Sequence, residues 1–251
     1  MIESFIENLA QRLVEARKER RQVGGLPADQ LPHTASEAYA VQDVVLRRLG
    51  PAKAWKVGAA NPTAEPACAP IWTILESPSR QGWGAFIEHG IELEAAVRFG
   101  KALPPRSKPY AREEVLDAID AVMPAIEIVD SRYKDFQKMD RLAQLADNQS
   151  NGALVVGPPL KDWKGLKLDA LKAKLSVDGK PLVETVGGNT AGDPVRPLTW
   201  LPGVLAPRRH RIEAGTIVTT GALTGLRFVD KPCAVKGEIE GLGTVELVFS
   251  A

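Results

Sequence analysis

Cysteine and histidine are scarce in this sequence, with two cysteines and three histidines in 251 residues. Cys68 and Cys233 are too few for a disulfide framework, and they form no CxxC motif. No HExxH motif or cluster of histidines and cysteines occurs either, so the sequence disfavours a zinc site. We expect the two thiols to be unpaired and buried in a reducing cytoplasm.

An excess of charge of either sign is also absent, because 32 lysines and arginines are balanced by 31 aspartates and glutamates. Such a chain lacks the basic footprint of a nucleic-acid-binding protein. No apolar run approaches the roughly 20 residues of a membrane span, and the start MIESFIENLAQRL lacks the apolar region of a secretory signal. We therefore expect a cytoplasmic protein with neither a nucleic-acid nor a membrane partner.

Neither a long linker nor an internal repeat interrupts the chain, in which 44% of residues are hydrophobic. We predict a single domain over residues 1–251, with a mainly helical part over 1–55 and a β-rich catalytic part over 56–251. Helical patterns lead and strand patterns dominate the second half of the chain. This order predicts an α+β fold rather than a doubly wound sheet.

The pattern of apolar and turn residues predicts individual elements. Apolar residues recur at helical spacing in Ile2–Leu13, and a capping box in Thr34–Glu37 begins a second helix. A third helix is predicted in AREEVLDAI. Strand patterns with turn residues between them predict two hairpins, at residues 178–179 and 241–243.

Two like charges interrupt an apolar strand pattern in GIELEAAVRF, where Glu92 and Glu94 alternate with Ile91, Leu93 and Ala95. Residues two apart in a strand point to the same face, so the two carboxylates would lie side by side. Their repulsion is relieved either by solvent on that face or by a positive group between them. The spacing alone leaves both interpretations open.

A third glutamate, Glu127, lies between Ile126 and Ile128 in another apolar strand pattern, AVMPAIEIVD. A lone carboxylate in such a strand is costly unless it is paired or bound to a cation. Three carboxylates from two strands provide the oxygen ligands that a hard divalent cation such as Mg²⁺ prefers. The pattern therefore indicates a metal site formed by Glu92, Glu94 and Glu127.

Five segments occur in an order that resembles a known family. They are AWKVG, IELEAAVRFG, MPAIEIVDSRY, DNQSNGALVVG and AGTIVTTGALTG, with AYAVQ upstream of them. Together they extend over residues 38–225 and are similar to the 2-keto-4-pentenoate hydratase and 2-oxo-3-hexenedioate decarboxylase family of the fumarylacetoacetate hydrolase superfamily. The resemblance implies a mixed β-roll, or distorted barrel, with N-terminal helices packed around it.

The resemblance also implies which residues form the site. Its divalent-metal ligands fall on Glu92, Glu94 and Glu127, the same three residues that the strand patterns single out. Its lysine matches Lys56 in AWKVG, and its serine matches Ser150 in DNQSNG. We expect Lys56, Glu92 and Ser150 to be catalytic and the metal to be Mg²⁺ or Mn²⁺.

The glycine-rich turn TTGALTG places Thr220, Gly221 and Thr224 at the expected substrate-binding position of the family, where backbone N–H groups and a hydroxyl would hold a carboxylate. The chain departs from the family after its lysine, where relatives carry an acidic residue near the site. In AANPTAEPACAPIWTILE the candidates for that acid are Glu65 and Glu76. We expect the loop PTAEPACAP to lie on the surface or over the site.

The implied activity is that of a lyase, a hydratase that adds water to a 2-hydroxydienoate or 2-oxoalkenoate and gives a 4-hydroxy-2-oxo acid in the catabolism of aromatic compounds. Two alternatives stay open, a 2-oxo-3-hexenedioate-type decarboxylase and a hydrolase that splits a C–C bond of an acylpyruvate. The implied partners are a small 2-oxo acid and further copies of the chain in a homo-oligomer, or a complex with a related decarboxylase.

Three side chains bear on the choice among these activities. We expect Lys56 to move the proton, with a pKa lowered by its apolar neighbours and further by the nearby cation. A hydrolase would instead need a histidine–acid pair, and His89, three residues before Glu92, either reaches the site or lies in a loop without a role. Arg132 could meet the substrate, but we favour a pair with Asp130.

Overall fold

The two longest helices precede the strands in the part of the chain that the computed structural model describes, residues 2–24 and 26–251, and three shorter α-helices lie between strands. The α-helices are α1 (Ile2–Glu19), α2 (Ala35–Leu49), α3 (Arg112–Ala118), α4 (Arg141–Ala146) and α5 (Val195–Leu205). Short 3₁₀ helices span Ala28–Gln30, Trp83–Ala85, Phe136–Lys138 and Asn148–Ser150. The strands are β1 (Ala54–Gly58), β2 (Ala67–Ile71), β3 (Ile74–Glu76), β4 (Ser79–Gly82), β5 (Gly90–Phe99), β6 (Ile119–Val129), β7 (Asn151–Val156), β8 (Lys172–Val177), β9 (Lys180–Val186), β10 (Ile217–Ala222), β11 (Arg227–Phe228), β12 (Cys233–Ile239) and β13 (Gly243–Ser250). The predicted α+β fold is confirmed.

Helix α2 begins at the predicted capping box. The Thr34 hydroxyl accepts a hydrogen bond from the Glu37 backbone N–H at 3.2 Å, and the Glu37 carboxylate accepts one from the Thr34 N–H at 3.2 Å. The helix ends at Gly50, whose φ of +92° would strain a residue with a side chain. Helices α1 and α2 pack side by side, with Leu13 and Val41 buried in the same apolar cluster.

The strands form two mixed sheets. The larger has the order β2-β1-β10-β5-β6-β7-β3, with β11 paired to β5, and the smaller has the order β4-β13-β12-β8-β9. Leu93 of β5 contributes to a core shared with Leu175 and Val245 of the smaller sheet. A Cβ atom at Gly237 of β12 would overlap the Leu93 side chain, so a glycine is needed where the sheets approach. This arrangement confirms the predicted β-roll.

Both predicted hairpins are present. Asp178 and Gly179 join β8 to β9 with φ values of +49° and +75°, as expected for the turn that Asp-Gly favours. Residues 240–242 join β12 to β13. Among the described residues, no helix combines the length and the apolar character needed to cross a membrane. Cys68 and Cys233 are buried and unpaired, as predicted.

Candidate metal and substrate site

Strands β5 and β6 bring the three glutamates together. The two strands are antiparallel, and Glu92 lies directly opposite Glu127, with Glu94 two residues further along the same face of β5. One carboxylate oxygen from each of the three residues lies within 4.8 Å of the others. Glu94 and Glu127 are buried, with 1% and 0% of their surface exposed, whereas Glu92 is partly open to a cavity. The face of β5 and β6 that carries the glutamates is therefore not an ordinary solvent-exposed face.

The electrostatics of this cluster fit a divalent cation. Burial raises the pKa of Glu92 to about 7, with Glu127 adding to the effect and Lys56 opposing it. Burial, together with Glu127 and Glu92, raises the pKa of Glu94 well above its ordinary range. Oxygen Oε2 of Glu127 is buried and has no hydrogen-bond partner among the described residues. A cation held by these three all-oxygen ligands would relieve the repulsion and occupy that free oxygen.

Lys56 on β1 reaches the same cluster. Its Nζ donates to Oε1 of Glu127 at 2.5 Å and to the backbone oxygen of Gln149 at 3.2 Å. Burial alone would lower the pKa of Lys56, but Glu127, Glu92 and Glu94 outweigh it and raise that pKa. The apolar neighbours therefore do not produce the lowered pKa that we expected from them, and the expected effect of a bound cation stays a prediction.

The turn that carries Ser150 has an unusual backbone. Asn148, Gln149 and Ser150 have φ values of +54°, +49° and +56°, a left-handed conformation that costs free energy for residues with side chains. The Ser150 hydroxyl is buried without a hydrogen-bond partner among the described residues, so it is free to meet a ligand. Its catalytic role stays a prediction. Asn151, which sequence reasoning missed although it lies in DNQSNG, donates from Nδ2 to Glu127 Oε1 at 3.0 Å.

A buried ion pair fixes this turn. Nε of Arg132 donates to Oδ1 of Asp147 at 2.5 Å, and its Nη1 donates to the backbone oxygen of Asn151 at 2.8 Å. The favoured pairing of Arg132 with the Asp130 carboxylate was wrong, because that carboxylate accepts from the backbone N–H groups of Ile87 and Glu88. Arg132 is therefore a buried side chain, with only 3% of its surface exposed, and its hydrogen bonds hold the two ends of the turn.

A bulge in β10 brings Gly221 to the glutamate cluster. Thr219 pairs with Ala96 and Ala222 pairs with Glu94, so β10 has one residue more than β5 between these pairs. Gly221 has a φ of +101°, which favours glycine, and its N–H donates to Glu94 Oε2 at 2.9 Å. The bulge therefore turns a backbone N–H toward the Glu94 carboxylate and orients it.

Two of the three threonines of TTGALTG, Thr220 and Thr224, bind backbone atoms of β5, whereas the buried Thr219 hydroxyl has no hydrogen-bond partner among the described residues. The Thr220 hydroxyl donates to the backbone oxygen of Ala95 at 2.9 Å, and the Thr224 hydroxyl accepts from the Leu93 N–H at 3.2 Å. Gly221 lines the cavity above the glutamates. The substrate-binding role of Thr220, Gly221 and Thr224 stays a prediction, and Gly221 has the geometry closest to it.

A cavity of about 520 Å³ opens above the cluster. Lys56, Glu92 and Glu94 lie on its surface together with Gln149 and Thr219. The walls come from the loop after β1 and from helices α2, α4 and α5. Only the first half of PTAEPACAP is a loop over the site, and it brings Glu65 to the wall. The expectation of a loop was wrong for residues 67–70, which belong to β2 and pair with β1.

The other two candidates for the site lie elsewhere. Glu76 belongs to β3 and pairs in register with Val156, and it does not line the cavity. The His89 ring stacks on Trp83 with 3.5 Å between ring centroids, and its Nε2 lies 2.8 Å from the Trp83 backbone oxygen. His89 is thus buried against aromatic rings and is not among the cavity-lining residues that the structure describes.

Residues 78–249 match the family model described as fumarylacetoacetate (FAA) hydrolase C-terminal. The chain belongs to the fumarylacetoacetate hydrolase family. The family resemblance read from the five segments is thereby confirmed, and the fold agrees with it.

Curated relatives and a solved structure are similar to this member of the family. A 2-keto-4-pentenoate hydratase of Paraburkholderia xenovorans is 30% identical over 165 residues, which cover 66% of this chain and only 61% of the relative. A 2-hydroxyhexa-2,4-dienoate hydratase of Comamonas testosteroni is 28% identical over 98% of both chains. The structure of 4-oxalocrotonate decarboxylase from Pseudomonas putida G7, complexed with magnesium and adipate, has a TM-score of 0.86 and 25% identity, covering 98% of this chain and 97% of that one.

Proposed function

We propose that the protein is a Mg²⁺-dependent lyase, a hydratase that adds water to a 2-hydroxydienoate or 2-oxoalkenoate and gives a 4-hydroxy-2-oxo acid. The observation that carries the proposal is the buried cluster of Glu92, Glu94 and Glu127 beside Lys56 in an open cavity. The similarity to two hydratases and to a magnesium-bound decarboxylase supports it. We place the reaction in the breakdown of aromatic compounds.

Each residue of the site would have a separate role in the reaction. Glu92, Glu94 and Glu127 would hold the cation, which supplies Lewis-acid polarisation of the 2-oxo group. The N–H of Gly221 keeps the Glu94 carboxylate oriented. Lys56 lies beside the cluster, where it would deliver a proton to the carbon chain before water adds to the remaining conjugated double bond.

The two alternative reactions, decarboxylation and hydrolysis, differ in how well the residues of this cavity fit them. Decarboxylation of a 2-oxo-3-hexenedioate would use the same carboxylates and lysine, and the similarity to a solved decarboxylase favours it as the second candidate. Hydrolysis of an acylpyruvate would require a water-activating base such as histidine. No histidine occurs among the described residues that line the cavity, so we rank hydrolysis third.

A direct assay tests the proposal. Purified protein with Mg²⁺ is incubated separately with a 2-hydroxydienoate, a 2-oxo-3-hexenedioate and an acylpyruvate, and products are followed by absorbance and mass spectrometry. We expect a water adduct from the first, abolished by a chelator and restored by Mg²⁺. Faster release of carbon dioxide from the second substrate would instead support the decarboxylase. Cleavage of the acylpyruvate alone would overturn both lyase assignments. The cytoplasmic location stays a prediction.

A further inference from the structure

The cavity has an apolar wall away from the metal ligands. Trp200 and Val204 lie one helical turn apart on α5, and both line the cavity. The loop after β1 adds Ala64 to the same cavity surface. Loop and helix are tied together, because Nη1 of Arg196 on α5 donates to the backbone oxygen of Ala64 at 2.9 Å. This wall is therefore a fixed part of the site.

The same wall separates the cavity from a second one. An adjoining cavity of about 500 Å³ is bounded partly by residues 106–110, and it shares Glu65, Trp200 and Val204 with the first. Side chains that line both cavities form the partition between them. The partition therefore consists of two apolar side chains and one carboxylate.

The charges around the cavity leave little to hold a second carboxylate. Lys56 is already paired with Glu127, and Glu65, a solvent-exposed carboxylate at the partition, would weakly repel an anion there. Arg141 on α4 also lines the cavity, but it is exposed to solvent. An ion pair at such a position changes affinity by at most about fivefold.

We propose that the substrate's tail is an uncharged alkyl group and that Trp200, supported by Val204, limits its length. The inference rests on the proposed function in one respect, that the head of the ligand is a 2-oxo acid held at the glutamate cluster. An apolar tail gains affinity from the wall, since each buried methylene is worth roughly threefold to fourfold in binding. A tail carboxylate would lose its hydration there and face Glu65.

Binding of unreactive ligands tests the length limit. Saturated 2-oxo acids from 2-oxobutanoate to 2-oxooctanoate lack the double bond that hydration needs, and their dissociation constants with Mg²⁺ are measured by calorimetry. In the unaltered protein we expect each methylene to tighten binding until the tail reaches Trp200, after which affinity falls. In Trp200→Ala we expect the optimum to move to longer acids.

Two further variants make the length test decisive. Val204→Ala removes less of the partition and should move the optimum in the same direction by less, which also covers the case in which Trp200→Ala fails to fold. Thr199→Ala is the matched control, because Thr199 lines the adjoining cavity but not the first one. An identical chain-length profile in the unaltered protein, Trp200→Ala and Val204→Ala would overturn the inference. Failure of every 2-oxo acid to bind with Mg²⁺ would instead overturn the proposed function and this inference with it.

A second pair of ligands tests the charge of the tail. We expect 2-oxohexanedioate to bind about tenfold more weakly than 2-oxohexanoate. Glu65→Gln should reduce this ratio of dissociation constants. Tighter binding of the dicarboxylate, lost in Arg141→Gln, would show that Arg141 selects an anionic tail and would overturn the inference. Both ligands carry the same 2-oxo acid head, so this result is independent of whether hydration occurs.

Discussion

Lys56 and Glu127 form a buried ion pair, with 2.5 Å between Nζ and Oε1, although their strands are not neighbours. The sheet order places β10 and β5 between β1 and β6. Three strand spacings in a flat sheet amount to roughly 14 Å, which is longer than a lysine and a glutamate reach together. The pair therefore requires a strongly curled sheet, and the curl of the β-roll is what assembles the site.

The first prediction concerns the metal. Glu127→Gln keeps the size of the side chain but removes a charged ligand from the buried cluster, so we expect Mg²⁺ affinity to fall by at least tenfold. The fold should persist, because the amide relieves repulsion among the glutamates. Isothermal titration calorimetry measures the affinity, and circular dichroism checks the fold. Glu184→Gln on the exposed strand β9 is the control, and it should bind Mg²⁺ normally. Unchanged affinity in Glu127→Gln would remove Glu127 from the ligand set.

The second prediction concerns proton transfer. Lys56→Met keeps most of the length of the side chain but cannot carry a proton, so we expect kcat to fall by about 10²–10⁴. Binding of Mg²⁺ and of a 2-oxo acid should persist, because Lys56 is not a predicted ligand of either. Stopped-flow absorbance gives kcat, and calorimetry gives the binding constants. Lys53→Met, an exposed lysine just before β1, is the control. A fully active Lys56→Met enzyme would mean that another group moves the proton.

The glutamate cluster could be predicted from the sequence because it depends on local strand geometry. The period of two puts Glu92 and Glu94 on one face, and the apolar residues beside Glu127 mark that glutamate as buried. The same period explains the error over Lys56. Its neighbours Trp55 and Val57 point to the opposite face, into the apolar core, and so they do not surround its ammonium group.

Contacts between distant segments could not be predicted in this way. Arg132 pairs with the carboxylate of Asp147, 15 residues away on a separate turn, and it meets the nearby Asp130 only at the backbone oxygen. The extra residue in β10 that turns Gly221 toward Glu94 depends on how two strands pair, which spacing within one strand does not determine. Such features arise from the three-dimensional pairing of elements, and only the structure defines them.

The third prediction separates the lyase from the hydrolase. His89→Ala removes a ring that stacks on Trp83 and also contacts Phe249, so we expect the free energy of unfolding to fall by about 1–3 kcal/mol. Activity of the folded protein should persist, because His89 does not line the cavity. Urea denaturation and kcat at low temperature measure the two effects. A severe loss of kcat in folded His89→Ala, with Lys56→Met near normal, would lead us to abandon the hydratase.

The fourth prediction concerns assembly. From the family resemblance we expect a homo-oligomer, whose mass by light scattering at micromolar concentration should be a multiple of 27.1 kDa. Leu182 and Val186 on β9, the edge strand of the smaller sheet, are 44% and 68% exposed, which makes this edge the first surface to test. A monomeric mass would contradict the expectation. A mass unchanged in Val186→Lys would place the interface elsewhere.

The fifth prediction concerns acid stability. Asp43 on α2 accepts hydrogen bonds from Nη2 of Arg208 at 2.7 Å and lies 3.1 Å from Nε2 of His210. Burial alone would raise the pKa of Asp43, but the hydrogen bonds from His210 and Arg208 outweigh it and lower that pKa below its ordinary value of 3.8. His210 therefore belongs to a structural cluster with Asp43 and Arg208.

A lowered pKa in the folded state means that the ionised Asp43 stabilises the fold at any pH above about 4. That stabilisation is lost as the pH falls through the folded pKa, so Asp43→Asn should cost about 1–2 kcal/mol at pH 7 and progressively less below pH 4. Thermal unfolding of the unaltered protein and of Asp43→Asn between pH 7 and pH 3 measures the difference in their stability, which is called the gap below. Asp29→Asn, at an exposed position, should show almost no gap at any pH. A gap for Asp43→Asn that stays constant down to pH 3 would mean that shape and hydrogen-bond geometry, rather than the charge of Asp43, stabilise this cluster.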